Sequence, residues 1–181
     1  MRRASISAAH RAACFARATR FGHHQKTRMP ALDNKIPPPV AGAIVAAAMW
    51  GAATLGPALP LAPGARNFLV AIFVIAGVAF DLLGLFAFHT SRTTINPLKP
   101  ERATSLVTRG VYRITRNPMY VGLCLLLLAW SVYLSALLPF FGPVIFVLFI
   151  TRFQIQPEER VLKDIFGKDY TAYAARVRRW L

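Results

Sequence analysis

Four apolar runs, each close to membrane length, separate along this chain at proline- and glycine-containing breaks and at basic segments. A run of about 20 apolar residues satisfies its backbone in lipid only as a helix or as part of a closed barrel. The expected fold is all-α: an integral membrane helical bundle of about four transmembrane helices. The first span is expected over 40–61, whose 22 residues would reach about 33 Å as a helix. Gly56-Pro57 and Pro60 predict fraying near its end. The second is expected over 67–88, the third over 119–138 and a shorter fourth over 140–154, turned at Pro139 to Pro143.

Charge orders these spans. The chain of 181 residues carries a formal net charge of +15 and is 55% hydrophobic. Residues 1–28 hold seven Lys or Arg and no acid. Residues 1–36 therefore form a basic arm, expected to be disordered and catalytically silent, and resembling a transit peptide or an over-extended start before Met29. Pro37-Pro38-Pro39 stiffens the approach to the first span. Basic residues recur between spans two and three and after span four, whereas 62–66 and 139–143 hold only Arg66. The positive-inside rule then places both termini in the cytoplasm, as for a multi-pass protein of a bacterial inner or plasma membrane. The same rule accounts for the basic excess without nucleic acid, which is not an expected partner. Membrane lipids are. Cys14 and Cys124, like the four His, have no metal-ligand spacing, so no metal site is expected.

The most polar chemistry lies beside the third span. Arg109 to Gly122 contains Arg109, Arg113 and Arg116 with Tyr112 and Tyr120. Asn117-Pro118 reads as a helix start, with Asn as N-cap and Pro at the first helical position. A helix N-terminus is also an anion site, and the arginines add charge to it. Gly122 would permit close approach of another helix or a ligand. Asp81, within the second span, is either functional or a packing residue that is protonated or paired with an arginine. Beyond the fourth span, 156–181 reads as cytoplasmic amphipathic helices. Pro157, Glu158 and Glu159 suit a first turn, and Gly167 a stop. A second helix from Asp169 would carry Tyr170, Tyr173, Val177 and Trp180 on one stripe, with Arg176, Arg178 and Arg179 meeting lipid headgroups. The glutamates could bind ribose hydroxyls or an ammonium group, or only complement the helix dipole.

Leu106-Val-Thr-Arg-Gly-Val-Tyr112-Arg-Ile-Thr-Arg116-Asn-Pro-Met-Tyr120-Val-Gly122, then Pro157-Glu-Glu-Arg-Val-Leu162 and Phe166-Gly-Lys-Asp-Tyr170, resemble the isoprenylcysteine carboxyl methyltransferase family. They are also similar to the related membrane phospholipid N-methyltransferases. The resemblance covers roughly 67–181. It implies S-adenosylmethionine bound at the cytoplasmic face of a helical membrane fold without a Rossmann sheet. Thr104, Ser105, Leu106, Val107, Tyr112, Asn117, Pro118, Met119, Tyr120 and Glu158 would line the cofactor pocket. Asn117 stands where the family usually has His. Gln154 stands where members that methylate a prenylcysteine carboxylate have Arg, with Arg152 two residues earlier, so Arg152 and Gln154 are the substrate-side candidates.

The acceptor would be a hydrophobic or lipid-like small molecule bearing a carboxylate, thiol or amine. Candidates for direct participation are Arg116, Asn117, Glu159 and Asp81. A carboxylate needs no base, whereas an amine must lose a proton, with Asp81, Glu159 or Tyr112 assisting. Two alternatives remain open: a membrane reductase of similar architecture using NADPH, and a non-catalytic lipid-binding subunit.

Overall fold

A computed structural model describes residues 35–90 and 106–181. The described residues form helices joined by short turns: α1 (Pro38–Ala53), α2 (Pro63–Thr90), a 3-10 turn (Gly110–Arg113), α3 (Pro118–Leu134), a second 3-10 turn (Leu138–Phe140), α4 (Phe141–Ile150), a π-helical turn (Thr151–Ile155) and α5 (Gln156–Arg176). The expectation of an all-helical chain is met among these residues. No strand longer than an isolated bridge occurs among them.

Proline and glycine set the boundaries for identifiable reasons. Pro38, Pro63 and Pro118 open their helices, where the missing N–H costs nothing. α1 is shorter than expected and ends at Ala53. Beyond it the chain runs extended beside the end of α3, with the Leu59 amide donating to the Ser135 carbonyl at 2.8 Å and Leu137 to Pro57 at 3.1 Å. α3 also stops early, at Leu134, because Ser135 adopts a left-handed conformation.

α2 is 28 residues, about 42 Å long, and strongly apolar. Most of its side chains are uncovered: Phe68, Ile75, Leu82 and Phe86 are all more than half exposed. The core helix of a soluble protein would be covered. An apolar helix of this length left bare is one that faces lipid. The other run long enough to cross is continuous from Leu138 to Arg176, and its apolar part ends at Ile155. At 16 and 17 residues, α1 and α3 are apolar but short of a full crossing. Among the described residues two helices thus reach membrane length where four spans are expected.

α2 and α3 pack through small residues. Gly77, Asp81 and Gly84 follow at one-turn spacing on α2. A Cβ on Gly77 would lie 3.0 Å from the Gly122 carbonyl, and one on Gly84 would lie 2.9 Å from Met119. Gly122 in turn faces the Asp81 carboxylate and the Gly77 carbonyl. This close approach needs glycine on both sides. On the other face of α3, Tyr120 and Leu127 join Ala41 and Met49 of α1, Phe146 and Ile150 of α4, and Ile155.

The expected break before Pro157 is absent. A proline inside a helix clashes with the carbonyl four residues earlier, here that of Phe153. Phe153 lies in the π turn, whose wider spacing accommodates the ring, so α4 continues into α5. Gly167 does interrupt α5, at φ 51° and ψ −116°, but the helix resumes to Arg176. The expected helical stripe through Val177 and Trp180 is corrected: Val177 is extended, and the tail lies beside 115–117. Tyr170 and Tyr173 are buried.

Candidate functional site

The polar residues around the start of α3 are held by the C-terminal segment. The Arg116 amide donates to the Arg178 carbonyl at 3.0 Å. The Thr115 hydroxyl and the Asn117 side-chain amide both donate to the Arg179 carbonyl, at 3.1 and 2.9 Å. Asn117 occupies the N-cap position, but its side chain makes no cap hydrogen bond. The Thr115 oxygen takes over near the helix start, accepting from the Asn117 amide at 3.1 Å. Trp180 donates its indole N–H to Thr151 at 3.2 Å, tying the tail to the π turn.

The two adjacent glutamates of α5 have different surroundings. Both Glu159 oxygens are occupied by Arg179, at 2.9 and 2.7 Å, and Arg116 adds a contact of 3.2 Å. Arg116 also donates to the Tyr170 hydroxyl at 3.2 Å. Pairing with Glu159 raises the pKa of Arg179. One position earlier, Glu158 accepts a 2.7 Å hydrogen bond from the Tyr120 hydroxyl. No guanidinium or ammonium pairs with it among the described residues. Burial pushes its carboxyl up to about 8, the Tyr120 hydrogen bond opposes the rise, and neighbouring Glu159 adds to it.

Tyr112 completes this group. Its ring packs edge-on to Phe88 at 5.5 Å, with Val107 and Val111 in the same apolar cluster. The Tyr173 hydroxyl donates to the Tyr112 carbonyl at 2.7 Å. Burial raises the Tyr112 hydroxyl far above its ordinary value, and the nearby Tyr173 and Glu158 raise it further. Burial likewise lifts Tyr170, to about 12.

The structure therefore gathers Val107, Tyr112, Asn117, Tyr120 and Glu158 around the start of α3. Pro118 and Met119 face Gly84 of α2. Leu106 is partly buried beside Val107, whereas Thr104 and Ser105 fall outside the described residues. Among the direct-participation candidates, Arg116 and Glu159 are engaged with each other. Asp81 sits at the α2–α3 contact against Gly122, and no hydrogen bond joins it to Tyr120 or Glu158 among the described residues. Gln154 is buried and donates to the Ile36 carbonyl at 2.6 Å, with its Oε1 facing no donor among the described residues. Arg152 is exposed, 5.3 Å from the Phe153 ring centroid.

Sequence reasoning missed Thr115 and assigned Arg179 to lipid. Both gain their roles from the return of the tail, which no local pattern announces.

The chain matches the family described as phospholipid methyltransferase over residues 65–169. That range runs from the start of α2 through the glutamate pair and covers more than half the chain. The chain belongs to the phospholipid methyltransferase family. It is 48% identical over 63 residues to an uncharacterized protein of Haemophilus influenzae, covering all of that protein and 35% of this chain. It is 34% identical over 109 residues to protein-S-isoprenylcysteine O-methyltransferase B of Arabidopsis thaliana, covering 58% of this chain and 53% of that one. Over 120 residues it is 32% identical to a probable protein-S-isoprenylcysteine O-methyltransferase of Oryza sativa subsp. japonica, covering 64% of this chain and 60% of that one. The chain thus spans 53% to 60% of the length of these two curated methyltransferases.

Proposed function

We propose that this chain is an integral membrane methyltransferase that uses S-adenosylmethionine to methylate a hydrophobic or lipid-like small molecule at the cytoplasmic face. One observation carries the reading. Glu158 is a carboxyl in a desolvated site with a hydroxyl for company and no protein cation beside it among the described residues. A buried carboxylate without a counter-charge is costly, and a bound cation removes that cost. S-adenosylmethionine brings two cationic groups, a sulfonium and an ammonium, so the donor set fits it. Glu159, already held by two arginines, does not offer the same vacancy of charge.

When bound, the cofactor supplies an electrophilic methyl group on its sulfonium. The protein's contribution is orientation and exclusion of water. Glu158 holds positive charge, and Tyr120 fixes which way its carboxyl points. Tyr112 and Val107 wall the site on the α2 side, and Asn117, with its amide fixed on Arg179, presents the remaining polar edge. The uncovered apolar face of α2 gives a hydrophobic acceptor a route from the bilayer.

The basic segments before α1 and after α4 support cytoplasmic termini. With the chain beyond α1 and α3 counted toward the bilayer, four crossings satisfy the same charge pattern. The acceptor group, whether carboxylate, thiol or amine, is read directly by transfer of labelled methyl from S-adenosylmethionine to a lipid and small-thiol extract. Binding of S-adenosylhomocysteine to detergent-solubilised protein, weakened by Glu158→Gln, is the expected result. Binding of NADPH in place of S-adenosylhomocysteine would overturn the proposal in favour of a reductase.

A further inference from the structure

On the side of α5 away from Glu158 lies a solvent-open cleft of about 400 Å³. Gln156, Glu159, Arg160 and Lys163 line it and recur at i, i+3, i+4 and i+7, the spacing of one helix face. Tyr170 and Ala174, past the Gly167 interruption, line it too, and Arg116 contributes from the segment before α3. A face that one helical segment turns toward another is ordinarily apolar. Here it carries Arg160, Lys163 and one carboxylate, Glu159, whose two oxygens are both held by arginine.

We propose that this cleft binds a phosphate mono- or diester group. Arg160 and Lys163 supply positive charge from α5, and Arg116 adds to the field while it holds Glu159 and the Tyr170 hydroxyl. Guanidinium and ammonium donors around one opening match the several oxygens of a phosphate. The volume admits the group with part of its ester substituent. The cleft begins at Gln156, directly after the apolar run ends at Ile155, which is headgroup depth if that run crosses the bilayer. The phosphate could therefore come from a lipid headgroup or from a free anion. This site is separate from the Tyr120–Glu158 pair and does not depend on methyl transfer.

The test uses the full chain and reads binding, with thermal unfolding as the control for folding. Inorganic phosphate is titrated into protein in uncharged detergent by phosphorus NMR. In parallel, protein in nanodiscs of zwitterionic lipid is compared with protein in nanodiscs containing phosphatidic acid. Phosphate binding in detergent identifies a free anion. Selective retention of phosphatidic acid without it identifies a headgroup. In either arm Lys163→Gln should weaken binding about fivefold, and Arg160→Gln with Lys163→Gln more, on the scale of partly exposed ion pairs. Lys168→Gln, an exposed charge that does not line the cleft, should leave binding unchanged. The proposal is overturned if neither arm shows binding, if folded Lys163→Gln binds as tightly as the parent, or if Lys168→Gln weakens binding equally.

Discussion

Ionisation of Glu158 should control cofactor affinity, and its pKa makes the effect measurable near neutral pH. In the free protein burial pushes the carboxyl up to about 8, with no guanidinium or ammonium paired to it among the described residues. If a cationic ligand binds the ionised form, apparent affinity scales with the ionised fraction. For a pKa of about 8 that fraction is roughly 0.01 at pH 6, 0.09 at pH 7 and 0.5 at pH 8. S-adenosylhomocysteine, through its ammonium group, should therefore bind about ninefold tighter at pH 7 than at pH 6, and about fivefold tighter again at pH 8. Glu158→Gln keeps the shape of the protonated acid but cannot ionise, so its profile should be flat. The penalty of that substitution should accordingly grow about fiftyfold between pH 6 and pH 8. Folding stability has the opposite sign. A carboxyl whose folded pKa is raised favours the folded state below the unfolded value of 4.5, and that contribution is lost as pH rises through about 8. Equilibrium dialysis of labelled S-adenosylhomocysteine against both proteins, from pH 6 to pH 8, measures this. An equal slope in the parent and in Glu158→Gln would refute the role given to Glu158.

Three further outcomes test the surrounding structure. Tyr120→Phe removes a hydrogen bond that lowers the Glu158 pKa, so its binding profile should shift to higher pH in the same dialysis assay. Gly122→Ala forces a methyl against the Asp81 carboxylate and the Gly77 backbone carbonyl, and should cost about 1–3 kcal/mol by thermal unfolding in detergent. Arg179→Ala removes the two-point contact with Glu159. Because Arg179 is partly exposed, the expected loss is about 1 kcal/mol, with weaker cofactor binding as Arg116 is left to hold Glu159 alone.

The helices were legible because apolar run length and proline position act locally. Pro118 marks a helix start by chemistry that needs no partner, and Gly167 marks the break in α5 for the same reason, whereas the helices at Pro38 and Pro63 open before the expected starts at 40 and 67. Tyr112, Tyr120 and Glu158 were legible as one group through the family resemblance and the charge pattern, and the geometry brings them together. The early end of α3 was not legible, since nothing about Ser135 alone predicts a left-handed residue. Nor was the role of the tail. Arg178 and Arg179 read locally as surface charges, yet the main chain of both and the side chain of Arg179 hold the start of α3 and Glu159. Gln154 shows the same limit: its hydrogen bond to the Ile36 carbonyl joins residues 118 positions apart.

The π turn at Thr151–Ile155 sets the phase of everything after it. Such a turn absorbs one extra residue, and each residue of an α-helix advances by about 100°. Were 151–155 wound as ordinary α-helix, Glu158 would rotate into the position now held by Glu159. Pro157 would then face Tyr120, and the site would present a hydrocarbon ring where it now presents a carboxyl. The division between two neighbouring glutamates, one locked between arginines and one beside the Tyr120 hydroxyl, is thus an angular property. It is fixed one turn upstream, in the π turn, whose Ile155 packs in the same core as Tyr120.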